Sequence, residues 1–380
     1  MPEYTYRFAN LLSDSDLCEL ELSNVKFDRR IIQPGAFTAS IPVTNSDIAT
    51  QVKKIVPSRT VVHVYRDSEI WGTYIIWSMV MRSSSHGPVQ VDLSGASLES
   101  WFDKRIVDID QTYTNTDQFD IARGLIDQAQ TGWTPFEGNA NLGITYNTDD
   151  SGVLRDRSYF LADAVSVGQR LKELASVDNG FEYYIHTYDD YELGYRVRKF
   201  LMEETFGDEN IDVIFTYPGS ILSYNITYDA TDSATAFWTR GDTINDDATA
   251  TSFPLMTTIP ALAEDWLENA FPHLDKVIDY PSVTVLQTLE DYAAWWKDNR
   301  SGVWAVPVIE INTSELNTII TPSSLGTSAV FTIVDEMFDL GQFSSVNRIV
   351  GIEVSPPERG SQEVIRMVIE TAIDPTDIGE

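Results

Sequence analysis

Apolar and polar residues alternate with a period of two through much of the first hundred residues. Residues 18–22, 37–41, 61–65, 71–77 and 89–93 have the length and the β-branched or aromatic content of strands. Turn-forming residues at 33–35, 66–69 and 85–88 separate them. This predicts a small all-β barrel or sandwich over residues 1–104. The Pro34-Gly35 pair, between Ile31-Ile32 and Phe37, reads as its tight structural turn, with Gly35 able to take positive φ.

From about Trp101 the period lengthens. Phe119, Ile121, Leu125, Ile126 and Ala129 recur at helical spacing after a capping Asp117, and Ser166 followed by Gln169 carries a capping-box pattern ahead of a second helix. Two strand-like runs, 180–186 and 194–200, follow with an acidic turn around Asp189 and Asp190, so residues 105–205 read as an α+β domain. Strands resume at 221–228 and 233–240, and residues 242–252 read as a polar loop. Helices are predicted at 261–267 and, capped at Thr288, at 289–296. Further strands fall at 303–308, 329–333, 348–354 and 364–369. This divides the rest into a second β domain, 206–254 with 305–380, interrupted by a helix-containing insertion, 255–304. The two β regions close on the same succession of strand, turn, long strand, turn, strand, at 58–93 and 328–369, which points to an internal duplication. Two unrelated meanders would produce the same pattern.

Composition narrows the functions open to such a chain. With 58 acidic against 26 basic residues, the net charge is −32. A chain so acidic has no cationic excess with which to displace counterions from nucleic acid. A self-repelling soluble surface, adaptation to high salt, and a surface past which nucleic acid slides without sticking all fit this charge. No apolar run is long enough to span a membrane, and the N-terminus lacks the pattern of a secretory signal. Cys18 is the one cysteine, which argues against an intramolecular disulfide and any thiolate zinc site.

Candidate chemistry is sparse. His63, His86, His186 and His273 have no metal-binding spacing, and no nucleophile elbow, phosphate loop or dinucleotide fingerprint occurs. Asp149-Asp150, Asp189-Asp190 and Asp246-Asp247 read as solvated turns, and Arg240-Gly241-Asp242 as a chance match to an adhesion tripeptide. Trp71, Trp77, Trp238, Trp295, Trp296 and Trp304 fit a core, a subunit contact or a sugar-binding cleft. No catalytic residue, cofactor or metal is expected, and the chain is read as non-enzymatic.

Several local phrases carry a resemblance. They are residues 27–37 followed by 39–42, 71–77, 120–126, 180–184, Pro218 to Ile221 with 234–236, Tyr280-Pro281, Thr288-Leu289 and 347–351. In this order, across nearly the whole chain, they resemble the baseplate hub family of tailed phages, especially the minor tail proteins of siphophages. The resemblance implies a four-domain design: two β-barrel-like tube domains, an intervening α+β domain and a small helical insertion. It also implies a homotrimer at the distal end of the tail, in which six similar barrels join the six-fold tail tube to the three-fold tip. Implied neighbours are the distal tail protein ring, the C-terminus of the tape-measure protein, and tail fibre or tip proteins. Genome DNA would pass through the ring without specific binding, and the protein would be made in the host cytoplasm. The chain ends soon after its last predicted strand, which leaves no room for an appended hydrolase. The alternative reading is a carbohydrate- or receptor-binding module of the tail tip.

Overall fold

A computed structural model of the chain describes residues 2–83, 87–177, 179–207, 214–231, 233–243, 253–281, 283–302, 304–311, 320–338, 343–358 and 360–370. The first stretch folds into β1 (Tyr4–Asn10), β2 (Asp16–Glu19), β3 (Ser23–Arg30), β4 (Ala36–Val43), a short helix α1 (Ser46–Val52), β5 (Thr60–Arg66), β6 (Glu69–Arg82) and β7 (Val89–Ser97). The strands lie in the order β3-β4-β7-β6-β5-β1-β2, every neighbour antiparallel. β1 and β3 add to the strands expected from the sequence. In β1, Tyr4, Tyr6 and Phe8 alternate with Thr5 and Arg7, and the aromatic face packs into the core.

The middle of the chain supplies β8 (Gln111–Asp117), α2 (Gln118–Gln130), β9 (Ile144–Tyr146), β10 (Leu154–Tyr159), α3 (Val167–Ala175), β11 (Glu182–Asp190) and β12 (Tyr195–Glu203). β11, β12 and β9 form one sheet, and β8 pairs with β10. Both helices start where the sequence places them: the Asp117 carboxylate accepts from the Phe119 N–H and the Ser166 hydroxyl from the Gln169 N–H. Their apolar faces, with Ile121, Leu125, Leu171 and Leu174, pack with Phe181, Tyr183 and Phe200 into a second core, which also takes in Ala9, Leu11, Val61 and Ile75 from the first part of the chain.

The remainder contributes β13 (Ile214–Tyr217), β14 (Ile221–Asp229), β15 (Ala236–Thr243), β16 (Pro254–Met256), β17 (Ala261–Leu262), α4 (Glu264–Glu268), β18 (Asp275–Asp279), α5 (Leu286–Arg300), β19 (Trp304–Ile311), β20 (Ser328–Ile333), β21 (Phe343–Ser355) and β22 (Val364–Glu370). Three local expectations change here. The strand expected at 233–240 does not rejoin the large sheet; as β15 it pairs with β16, β17 and β18 in a small separate sheet against which α5 packs. The helix expected at 261–267 opens as the short strand β17 and becomes helical only from Glu264. α5 begins two residues before Thr288, which is buried within the first turn instead of capping it. Of the loop expected at 242–252, residues 244–252 lie outside the described residues.

The two β-rich parts belong to one hydrogen-bonded sheet of 13 strands, because β3 pairs antiparallel with β21. Within it the succession β3-β4-β7-β6-β5 repeats as β14-β19-β22-β21-β20, in the same chain order and antiparallel throughout. The long strand of each set is irregular at the same place, between Ile76 and Ser78 in β6 and between Ile349 and Gly351 in β21. The sets differ outside these five strands, since β1 runs antiparallel to β5 whereas β13 runs parallel to β20. One apolar cluster serves both halves, from Phe27, Phe37 and Tyr74 to Phe215, Phe331 and Ile352.

Candidate assembly surfaces

The connection from β3 to β4 stands where three parts of the molecule meet. The Ile31 N–H donates to the Val350 carbonyl and the Ile32 N–H to the Tyr183 carbonyl, so this connection touches both halves of the large sheet and the α+β unit. The residue at positive φ is Ile32, at 65°, and not Gly35. Gly35 is needed for a different reason: a Cβ there would collide with the backbone carbonyl of Asp28. Its N–H donates to the Ser97 hydroxyl and its carbonyl accepts from the Ser97 N–H. Pro34 is half-buried, while Phe37 is fully buried and stacks on Tyr74 with ring centroids 5.4 Å apart. Replacing Gly35 by valine is expected to cost about 2–3 kcal/mol of stability, measured as the shift in a denaturant midpoint. An unchanged midpoint would mean that the backbone gives way without strain.

Ion pairs hold the parts together. Asp14, in the connection between β1 and β2, accepts from Arg198 Nη2 at 2.7 Å and His63 Nε2 at 3.0 Å through Oδ1, and from Arg196 Nε at 2.8 Å through Oδ2. Arg198 also donates to the carbonyls of Leu11 and Leu142, both at 2.8 Å. Arg196 and Arg198, two apart on β12, therefore use one face of the strand to lock the α+β unit onto the first sheet. A second pair, Arg66 with Glu363, is bidentate at 2.7 and 3.0 Å and almost wholly buried, with the Arg66 guanidinium over the Trp71 ring. It ties β5 to the residue preceding β22. Arg30 bridges Asp28 and Glu353 across the β3–β21 joint, and Arg348 reaches from β21 to Glu182 at 2.7 Å.

Burial pushes the His63 imidazole below its ordinary value against the pull of Asp14. A neutral ring satisfies both contacts, with Nε2–H donating to Asp14 and Nδ1 accepting from the Thr73 hydroxyl. His186 is pushed down to about 4, by burial and then by the Arg29 charge. In both cases the unfolded chain binds a proton below about pH 6.5 that the folded chain refuses. Stability therefore rises with pH in this window and falls as pH drops from about 6.5 toward 4, the His186 part amounting to about 2–3 kcal/mol. Denaturant titrations across that range check this, and His186→Gln should flatten the slope.

The other candidates do not converge. Trp71 and Trp77 are on β6, whereas Trp238 is on β15 and Trp295 and Trp296 are on α5; Trp77, Trp238 and Trp296 donate to Ser100, Asp275 and Tyr280. The Trp304 side chain, His86 and Asp246-Asp247 lie outside the described residues. Asp190 accepts from the backbone N–H groups of Glu192 and Leu193, as a turn residue does, and Asp150 lies 3.8 Å from Arg123. Arg240 is held by Asp279 within the small sheet. Among the described residues no three His, Cys, Asp or Glu side chains are grouped to hold a metal ion, and no helix is long and apolar enough to cross a membrane.

No protein-family model and no curated protein sequence matches the chain. Solved structures do. The chain superposes on the tail protein from Neisseria meningitidis MC58 with a TM-score of 0.58 and 13% identity, over 98% of each chain. The 43 kDa tail protein of prophage MuSo2 from Shewanella oneidensis gives 0.57 and 11%, over 99% of this chain and 100% of the other. Prophage tail protein gp18 from Listeria monocytogenes EGD-e gives 0.51 and 10%, over 96% and 94%. At these identities the likeness is one of fold, and it runs the whole length of the chain.

Proposed function

We propose that the chain is a structural protein of a viral tail, working at its distal end as a trimeric baseplate hub. The observation that carries this reading is the five-strand repeat inside a fold shared end to end with phage tail proteins. A chain holding two like sheet units offers six of them in a trimer, which suits a part that joins a six-fold tube to a three-fold tip. On this reading the two units are the tube domains of a four-domain hub, and the remainder forms the intervening α+β domain and the insertion. The distal tail protein ring would lie above, the C-terminus of the tape-measure protein inside, and fibre or tip proteins below.

The net charge of −32 supports a channel role. Carboxylates facing a lumen repel the phosphate backbone, so the genome passes without being held. The alternative, a carbohydrate-binding tip module, draws no support from tryptophans scattered over separate parts of the molecule. Mass measurement of the purified protein at low and high concentration, followed by negative-stain imaging, tests the proposal. The expected particle has three chains, a central hole and a pseudo-six-fold outline. A different copy number, or a compact particle without a hole, would refute it.

A further inference from the structure

We propose that the joint between the α+β unit and the first sheet is built around one buried water, held by the carboxylate of Glu99 and the hydroxyl of Thr187. Glu99 stands just past the end of β7 and Thr187 lies on β11, so the two anchors come from the two parts that the water joins. Both residues are buried, at 7% and 5% exposed. Glu99 Oε1 accepts from the Ile185 N–H at 2.5 Å, but among the described residues nothing donates to Glu99 Oε2 and nothing partners Thr187 Oγ1. Buried polar atoms left in this way are few in folded proteins, and a bound water is the usual partner.

The two side chains line one cavity of about 20 Å³, together with Arg29, Arg30, Trp71 and Tyr184. That is room for the centre of a single water, which needs about 10–15 Å³, and for nothing larger. The other polar groups on the wall are engaged elsewhere. The Tyr74 hydroxyl donates to the Asp28 carbonyl, the Thr73 hydroxyl is bonded to His63, and Arg30 pairs with Asp28 and Glu353. Arg29 is turned toward the Pro322 carbonyl, to which it donates at 2.9 Å, and its guanidinium lies over the Tyr184 ring.

The charges on the wall select the occupant. A cation would meet two guanidinium groups and an anion would meet the Glu99 carboxylate, whereas a neutral molecule that both donates and accepts suffers neither repulsion. Water gives one O–H to Glu99 Oε2 and keeps its remaining capacity for Thr187. Burial pushes the Glu99 carboxyl above its ordinary value, against the pull of the Ser97 hydroxyl and the Ile185 N–H, and a donor at Oε2 eases that same charge. Ile185 and Thr187 are two apart on β11, so the direct bond and the water-mediated one lie side by side on one face of the strand. Glu99 then clamps β11 at two points with its two oxygens.

A crystal structure at a resolution that shows ordered water tests the proposal. One peak should lie within hydrogen-bond reach of both Glu99 Oε2 and Thr187 Oγ1, and a cavity without density would overturn it. Crystals soaked in a rubidium salt should give no anomalous signal there; a signal would make this a site for a monovalent cation instead. Thr187→Val should lose the peak, and a peak kept at full strength would overturn Thr187 as its second anchor. In solution, denaturant titrations of Thr187→Val, Glu99→Met and the double variant read the bridge without crystals. Through a shared water, the rise in the unfolding constant of the double variant should fall at least about three-fold short of the product of the two single effects. Effects that multiply without shortfall would overturn the bridge.

Discussion

Replacing Asp14 by alanine should remove about 3–5 kcal/mol of stability, a large part of what a domain has in total. Arg198 is nearly fully buried beneath Asp14, and Arg196 is only slightly more accessible. Without the carboxylate, Arg198 loses its ion-pair partner in a poorly hydrated site beside a neutral histidine, and Arg196 keeps only the exposed Asp16 carboxylate at 2.5 Å. The cost is that of stranded buried charge, more than that of a lost attraction. Acid should have the same effect by another route. Burial would raise the Asp14 carboxyl, but the His63 hydrogen bond and the charges beside it hold it well below the usual range. Its contribution is present above about pH 3.8 and is lost as pH falls below that. Denaturant titration of Asp14→Ala at neutral pH checks the magnitude, and a loss below about 1 kcal/mol would mean that water reaches the arginines and screens them.

Glu363→Ala should cost a similar amount, about 3–5 kcal/mol, with a distinct signature. The Arg66–Glu363 pair joins residues 297 apart in sequence, and Glu363 also accepts from the Tyr4 hydroxyl. Losing it should therefore loosen the first and last strands together. Hydrogen exchange should show β1 and β22 losing protection in the same variant, while α2 and α3 keep theirs. The double change Arg66→Met with Glu363→Leu, which removes both charges and keeps apolar bulk, should recover most of the loss. If protection fell only around residue 363, the pair would be a local clamp without reach across the sheet.

The sequence was legible where structure is local. β4 to β7 follow from alternation, α2 and α3 from spacing and from the caps at Asp117 and Ser166, and the repeat from the succession of strands and turns. β15 was misplaced because an alternating strand does not say which sheet it joins; that is decided by partners such as Asp275–Asp279, some forty residues away. The short turn at Pro34-Gly35 was legible as punctuation, but the need for glycine lies in the approach of Asp28, a tertiary fact. The charge clusters were not legible at all. Asp14 and Arg198 are 184 residues apart, and the one local hint was a pair of arginines on the same face of β12.

The joint between β3 and β21 also sets a timetable. β3 is made early, but the residues that cover its outer edge, 351–354, follow about 320 residues later. At the usual pace of synthesis that interval lasts roughly 16–64 s. Throughout it the outer edge of β3 lacks the strand that covers it in the folded chain. Asp28, Arg29 and Arg30 put charge along that stretch, which discourages a strand of another chain from pairing there first. The same charges therefore guard the edge until β21 emerges and closes the large sheet over it.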